Sequence, residues 1–138
     1  MKKQRHPAHP DVRVFAPVPL ILSRIWRDEK EGFVGGYLVK LRASKRLKVF
    51  AFKGTECVRC GIPATHFEVE RNPDPTLTEP SFHLQLFARH VRMTIDHIKP
   101  RALGGGNGLE NLQPMCERCN EEKGVRYDER VPTGFAIV

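Results

Sequence analysis

Long hydrophobic runs are missing from this sequence of 138 residues. The longest apolar-leaning stretch, residues 12–25, is interrupted by Arg13, two prolines and Arg24, whereas a helix needs about 20 apolar residues to span a bilayer. We therefore predict no transmembrane helix and no membrane partner. The basic start of the chain leads into no clean apolar segment and no small-residue cleavage site, so we expect no signal peptide and a cytoplasmic location.

Extremes of composition are also missing, as are internal repeats. With 40% hydrophobic and 28% charged residues, the chain is too apolar for wholesale disorder and not apolar enough for a membrane protein. A folded chain of this length buries roughly two thirds of the surface that it exposes when unfolded, which permits a core. Prolines cluster near the start, so we predict a basic, extended, proline-rich arm over residues 1–19 and a single domain over residues 20–138.

Cysteine is scarce, and its spacing is informative. The only four cysteines form two Cys-x-x-Cys pairs, Cys57 with Cys60 and Cys116 with Cys119. In a cytosolic protein two such pairs favour a tetrahedral zinc site, because each pair can aim two thiolates at one metal ion. Disulfides are the alternative, which a reducing compartment disfavours. The 55 residues between the pairs must fold back if the pairs are to meet.

Acidic residues are sparse in the first part of the chain. Residues 1–60 carry 14 Lys and Arg against 5 acids, while residues 61–138 carry 9 against 11. A basic stretch without an intervening acid indicates a surface that faces nucleic-acid phosphates. The members of this stretch are Lys40, Arg42, Lys45, Arg46, Lys48 and Lys53. A solvated helix face gives the same pattern, so the pattern alone leaves both interpretations open.

Periodicity predicts short helices followed by short strands. We predict helices over residues 20–30 and 38–52, with Ser44 as an alternative N-cap for a shorter second helix that starts at Lys45. Four further elements are predicted later in the chain. They are strands over residues 82–87 and 91–98, a short extended segment over residues 111–115 and a helix over residues 117–123.

Residues 93–124 combine several unusual features in one segment. A strand ends in Asp96-His97, a glycine-rich loop follows, and then come an asparagine, a second short strand and a Cys-x-x-Cys-Asn helix. The segment reads MTIDHIKPRALGGGNGLENLQPMCERCNEEKG. This order of parts strongly resembles the HNH nuclease family and its ββα-metal motif, with a core motif over residues 91–124. The strand pair that begins with FHLQLFA and leads into MTIDHI also resembles the corresponding part of small HNH endonucleases encoded by bacteriophages.

Two adjacent residues of this segment suit phosphodiester hydrolysis. His97 fits a general base, because a histidine with an ordinary pKa is mostly neutral at pH 7. Asp96 fits a hard oxygen ligand for a divalent ion such as Mg²⁺ or Mn²⁺. Adjacent side chains of a strand point in different directions, so one residue can serve the water and the other the metal ion.

The resemblance assigns roles to two asparagines. In the family pattern the third position is His or Asn and ligates the catalytic metal ion, and here that position is Asn120. The resemblance also implies that Asn111 holds the loop and orients His97. We expect the zinc to be structural, because four thiolates leave no open position for water. The catalytic ion is then a separate Mg²⁺, Mn²⁺ or similar divalent ion.

The predicted fold is α+β, a small ββα-metal (His-Me finger) domain with a structural four-cysteine zinc site and preceding basic helices. The resemblance implies a metal-dependent DNA endonuclease or nickase in the cytoplasm of a bacterium or a phage-infected cell, and we expect a protein partner to supply specificity. Seven residues are predicted to contact DNA. They are Lys40, Arg42, Lys45, Arg46, Lys48, Lys99 and Arg101.

Two functions of other classes fit the same sequence. A non-catalytic zinc-containing nucleic-acid binding module predicts salt-sensitive binding that a His97→Ala change leaves intact. A structural protein, such as a phage packaging accessory protein, predicts little DNA affinity at moderate salt. The joint presence of Asp96, His97, Asn111 and Asn120 favours the enzyme, because binding alone does not require all four.

Overall fold

Short strands and helices alternate along the chain. The computed structural model describes residues 12–135, and this range holds seven strands and three α-helices. In chain order they are β1 (Phe15–Ala16), α1 (Val18–Trp26), β2 (Glu31–Val34), β3 (Tyr37–Lys40), α2 (Lys45–Lys53), β4 (His66–Arg71), β5 (Phe82–Ala88), β6 (Val91–His97), β7 (Leu112–Cys116) and α3 (Glu117–Lys123). The prediction of a mixed helix and strand fold is confirmed at this level.

The centre of the sheet is the antiparallel pair β4 and β5, which face each other over six residue pairs. β1 adds to the outer side of β4, while β3 and then β2 lie beyond β5. β6 pairs with β5 over only two residue pairs before it leaves β5 and pairs with β7. The sheet therefore curls, and β6 connects the main sheet to a two-stranded ribbon formed by β6 and β7.

The second helix is shorter than the longer of our two predictions. Residues 37–40 form β3, which pairs with β2 as a hairpin. Gly35 and Gly36 make its turn at φ values of 56° and 86°, and such positive values favour glycine. α2 then starts at Lys45, because the Ser44 hydroxyl accepts a hydrogen bond from the Leu47 amide at 3.2 Å. The prediction of one helix over residues 38–52 was wrong, and the shorter alternative is confirmed.

The start of the described chain also differs from the prediction. Phe15 pairs with Glu68, so β1 is part of the sheet. α1 begins at Val18 with Pro19 in its first turn, where a proline loses no helical hydrogen bond. The helix ends at Trp26, four residues before the predicted end. Residues 1–11 of the predicted arm lie outside the described residues.

The later elements agree closely with the sequence patterns. β5 and β6 differ by one residue from the predicted strands, and α3 has the predicted bounds. The extended segment predicted over residues 111–115 is β7, shifted by one residue. Alternation along β5 is incomplete, since Gln85 and Phe87 are buried like Leu84 and Leu86. Both faces of β5 are therefore covered within the domain.

The core lies between the sheet and the first two helices and continues toward the cysteines. Phe50 of α2 and Phe67 of β4 are fully buried, and replacing such a phenylalanine with alanine typically costs about 3–5 kcal/mol. Met93, Met115 and three of the cysteines belong to the same cluster of buried residues. The β6–β7 ribbon is thus anchored to the main core. None of the helices in the described range has the length and apolar character that crossing a membrane requires.

Candidate metal centre and catalytic site

The β6–β7 ribbon and α3 form a strand–strand–helix unit. β6 and β7 are antiparallel over five residue pairs, from Met93 opposite Cys116 to His97 opposite Leu112. α3 starts immediately after β7, and the Cys116 Sγ accepts a hydrogen bond from the Cys119 amide at 3.5 Å. Gly124, with a φ of 54°, ends the helix. α3 therefore packs against β6 and places its residues beside the end of that strand.

The two cysteine pairs meet at the start of α3, as predicted. All four Sγ atoms lie within 4.8 Å of one another. The first pair occupies a turn in which the Gly61 amide donates to the Cys57 carbonyl at 2.9 Å. The Val58 amide donates to the Pro114 carbonyl at 3.1 Å, which ties this turn to β7. The 55 residues between the pairs thus fold back through β4 and β5 of the main sheet and through the β6–β7 ribbon.

The spacing of the sulfur atoms fits a tetrahedral metal ion. Zn–S bonds of about 2.3 Å place two thiolates of a tetrahedron about 3.8 Å apart, and the Sγ atoms of Cys60 and Cys116 are 3.8 Å apart. A disulfide requires about 2.05 Å, and all four cysteines are free. The cluster could therefore hold a metal ion such as zinc.

The thiols differ in acidity. Burial acts to raise the pKa of Cys57, but nearby backbone amides, including that of Cys60, outweigh it and lower the pKa to about 7. Burial raises the pKa of Cys116 and that of Cys119 above the ordinary thiol value. A metal ion that binds all four sulfurs must displace the remaining protons, so metal affinity falls with decreasing pH.

Asp96 is buried and ion-paired at the end of β6. Only 5% of the residue is exposed. Its Oδ2 accepts hydrogen bonds from Gln113 Nε2 and from Lys123 Nζ, each at 2.9 Å. Lys123 is fully buried, and its ammonium also donates to the carbonyls of His97 at 2.7 Å and Ile98 at 3.0 Å. All three donors of this lysine are therefore used to fix the end of β6.

One carboxylate oxygen of Asp96 is left for another partner. No residue between 12 and 135 donates a recorded hydrogen bond to Oδ1, and 6% of the side-chain surface remains accessible. Partners that hold one oxygen of a carboxylate fix the direction in which the other oxygen can ligate a cation. Asp96 is thus a preoriented oxygen donor.

His97 lies on the opposite side of β6 from Asp96, as the alternation of a strand requires. It is partly exposed, and its Nε2 lies 2.8 Å from Asn107 Oδ1. An amide oxygen only accepts hydrogen bonds, so this contact needs the proton on Nε2. In the neutral ring, Nδ1 is then the basic nitrogen.

Asn111 fastens both ends of the glycine-rich loop. Its side chain accepts from the Lys99 amide at 2.9 Å and donates to the Lys99 carbonyl at 3.0 Å and the Gly106 carbonyl at 2.8 Å. Gly105 must be glycine, because a Cβ there would lie 1.8 Å from the Lys99 carbonyl oxygen. The side chain bonded to His97 in the described structure is Asn107, not Asn111.

Asn120 is held by β6 through a threonine. Its Nδ2 donates to Thr94 Oγ1 at 2.7 Å, and the same hydroxyl donates to the Met115 carbonyl at 2.8 Å. This arrangement fixes the amide and leaves Asn120 Oδ1 as the atom available to a ligand. Thr94 and Asp96 occupy the same side of β6, being two residues apart on a strand. Two oxygen donors are thus presented along one side of β6.

Comparison with known families finds a match to the part of the chain that contains β6, β7 and α3. Residues 88–135 match the family model described as HNH endonuclease. The match takes in the β6–β7 ribbon, α3 and the second cysteine pair, and it leaves α1, α2 and the first cysteine pair outside. No curated protein and no solved structure matched the chain. The similarity is to an endonuclease family, and it covers the segment that carries Asp96, His97, Asn111 and Asn120.

The predicted basic surface is divided in the structure. Lys45 reaches the segment that matches the family model, residues 88–135, since its Nζ donates to the Asn107 carbonyl at 2.8 Å. Lys40, Lys99 and Arg101 are exposed, and Lys48 is partly exposed. Arg42 instead pairs with Asp28 at 3.1 Å. Arg46 is partly buried and turns toward β5, where its Nη2 donates to the Leu84 carbonyl at 2.6 Å.

Sequence reasoning missed three residues that shape the HNH segment, namely Asn107, Gln113 and Lys123. Gln113 faces Asp96 in the β6–β7 register, which a pattern of single residues does not reveal. Lys123 occupies the last turn of a short helix, where lysines are ordinarily exposed. The signal that could have identified Lys123 is its pairing with Asp96, the carboxylate at the end of β6.

Proposed function

We propose that the protein is a metal-dependent endonuclease or nickase that hydrolyses phosphodiester bonds of DNA. The observation that carries the proposal is the arrangement around β6. His97 at the end of β6 presents a basic nitrogen, while Asp96 beside it and Asn120 on α3 present oxygen atoms. The family match over residues 88–135 supports the same reaction class.

In the proposed reaction His97 accepts a proton from the attacking water at Nδ1. The hydrogen bond to Asn107 keeps the other proton on Nε2 and orients the ring. Asp96 Oδ1 and Asn120 Oδ1 would hold one divalent ion, Mg²⁺ or Mn²⁺. When bound, that ion neutralises charge on the phosphate and on the leaving 3′ oxygen. The family resemblance implies a product with a 5′ phosphate.

The four-cysteine cluster supports this site without taking part in the chemistry. We propose a structural zinc there, because four thiolates fill a tetrahedral ion. Asn120 directly follows Cys119, so the metal ion would fix the start of α3 and with it the position of the Asn120 amide. Thr94 then sets the orientation of that amide.

The exposed cations define the face that DNA would approach. We propose that Lys45, Lys99 and Arg101 contact backbone phosphates near His97, with Lys40 and Lys48 extending that surface. Arg42 contributes less, since Asp28 already neutralises it. Such contacts carry no sequence information, so a protein partner in the bacterial or phage-infected cell would supply specificity.

The test is nicking of supercoiled plasmid by the purified protein with Mg²⁺ or Mn²⁺, beside EDTA and His97→Ala controls. We expect the wild type to nick and the variant to lose about 10²- to 10⁴-fold in rate, with its metal content at the cysteines unchanged. If both proteins bind DNA and neither nicks it under any metal, the binding-module interpretation replaces the enzyme. If neither binds at moderate salt, a packaging or structural role replaces both.

A further inference from the structure

A polar groove lies at the other end of β6 from His97. Its volume is about 710 Å³, and it opens between the β4–β5 pair and the start of β6. Its charged lining comes from three arginines, one histidine and two glutamates. They are Arg46, Arg71, Arg92, His83, Glu68 and Glu70.

Arg46 is incompletely satisfied at this groove. Its Nε is buried without a hydrogen-bond partner, and among the side chains of residues 12–135 it is the one buried atom in that condition. Within the same range no carboxylate forms an ion pair with it, and the Leu84 carbonyl is its recorded acceptor. Buried donors without acceptors are rare in folded proteins, and a bound water or ion is one of the explanations for them.

The two glutamates of the groove are already engaged. Glu70 accepts two hydrogen bonds from Arg92, at 2.8 and 2.9 Å, and lies 3.4 Å from His83. Glu68 pairs with His66 at 2.9 Å. Burial, followed by the nearby charge of Arg46, lowers the pKa of His83. Glu70 acts on Arg46 through its charge, yet no carboxylate among residues 12–135 contacts the Arg46 guanidinium directly. An anion is therefore a complementary ligand for the groove.

The groove lies within reach of a nucleic acid bound at the candidate site. Arg92 and Asp96 lie on the same side of β6, four residues apart, which corresponds to about 13 Å. Lys45, adjacent to Arg46 on α2, contacts Asn107 beside His97. The start of α2 thus lies between the two places. Since DNA rises 3.4 Å per base pair, about 13 Å corresponds to about four base pairs.

We propose that this groove binds a backbone phosphate of the DNA substrate, about four base pairs from the phosphate that is cleaved. The Arg46 guanidinium is the principal donor, since its fork suits phosphate oxygens. The site rests on the proposed nuclease function for its ligand, whereas its unpaired donor and volume are independent of that function. A free phosphate is the other source of the same chemistry.

The test measures binding of a 20-base-pair duplex in EDTA by fluorescence anisotropy over a range of salt concentrations. We expect Arg46→Gln to weaken binding by about tenfold, as loss of a charge-assisted hydrogen bond does. The slope of log affinity against log salt should fall in magnitude by about one. Arg130→Gln is the matched control, since Arg130 is exposed and its side chain pairs with Asp128 and with no other residue between 12 and 135. This change should leave both values unchanged.

Two further arms separate the possible outcomes. Arg46→Lys keeps a charge and should retain the salt slope with reduced affinity, which excludes misfolding as the cause of the Arg46→Gln effect. An unchanged slope and affinity in Arg46→Gln overturns the proposal, even if the wild type nicks plasmid. Binding of inorganic phosphate that depends on Arg46, without an effect on the DNA slope, overturns the DNA source. An Arg46-dependent slope in a protein that never nicks supports the groove and refutes the nuclease.

Discussion

A buried or partly buried cation lies at each end of β6, and the two cations differ in how fully their charge and hydrogen-bond donors are paired. At the His97 end, Lys123 is fully buried and donates to a carboxylate and two carbonyls, so its charge and all its protons are matched. At the Arg92 end, Arg46 has no ion-pair partner in the described residues and keeps one buried donor unpaired. A matched buried cation fixes a structure, whereas an unmatched one leaves binding energy for a ligand.

Metal removal should have the largest effect on stability, and the loss of structure should be confined to the His97 end of β6. A chelator that removes the proposed zinc would free the start of α3, the helix whose last residue is Lys123. Structural zinc typically contributes many kcal/mol to folding. We expect Tm to fall by more than about 10 °C. Hydrogen exchange should show lost protection in β6, β7 and α3 while β4 and β5 keep theirs. Equal loss across both regions would contradict a cluster that supports only this unit.

Lys123→Met should come next. The change leaves the Asp96 carboxylate buried without its cation, and breaking such a pair typically costs about 3–5 kcal/mol. Urea unfolding of the metal-loaded protein measures the free energy of unfolding. The double change Asp96→Asn with Lys123→Met is the control, because it removes both charges and should recover part of the loss. A single-variant loss below about 1 kcal/mol would show that the pair is not structural.

Arg46→Met should have a smaller effect and the opposite sign. Methionine fills similar space without an unpaired donor, so we expect the free energy of unfolding to stay equal or rise by about 1 kcal/mol. The same urea measurement applies, with DNA omitted. A loss as large as that of Lys123→Met would mean that Arg46 is a structural residue and that the two ends do not differ.

The smallest effect concerns pH at the groove. Burial acts to raise the pKa of Glu70, but its hydrogen bonds to Arg92 outweigh burial and lower the pKa below the ordinary glutamate value. This pair therefore adds stability above the unfolded-state pKa, about 4.3, and the contribution is lost as pH falls through the lower folded-state pKa. We expect about 1 kcal/mol or less, since both side chains are partly exposed. Arg92→Gln should flatten the pH dependence of unfolding between pH 5 and 3, and an unchanged curve would refute the assignment.

Local signals explain which parts of the fold were predictable. α3 was placed correctly because a Cys-x-x-Cys turn and Gly124 bound it on either side. The hairpin at Gly35 and Gly36 was partly mistaken for helix, because leucine and valine spacing over four residues does not separate the two periods. The meeting of the cysteine pairs followed from metal chemistry alone, although they are far apart in the chain.

Long-range geometry explains what the sequence could not provide for the site. The pairing of Asp96 with Lys123 depends on the angle of α3 against β6, and the contact with Gln113 depends on strand register. The unpaired Arg46 donor depends on how α2 packs against β5. The roles of Asp96, His97 and Asn120 in catalysis stay predictions.

Lys123 binds His97 through the main-chain carbonyl and leaves the imidazole untouched. The position of the proposed base along β6 is therefore set by main-chain atoms, while its ring is oriented by the separate contact with Asn107. Substitutions at position 97 should change the catalytic group without moving β6, the strand that carries it. The domain thus fixes the backbone of residue 97 independently of the side chain at that position, so acid–base chemistry can be altered without a change of fold.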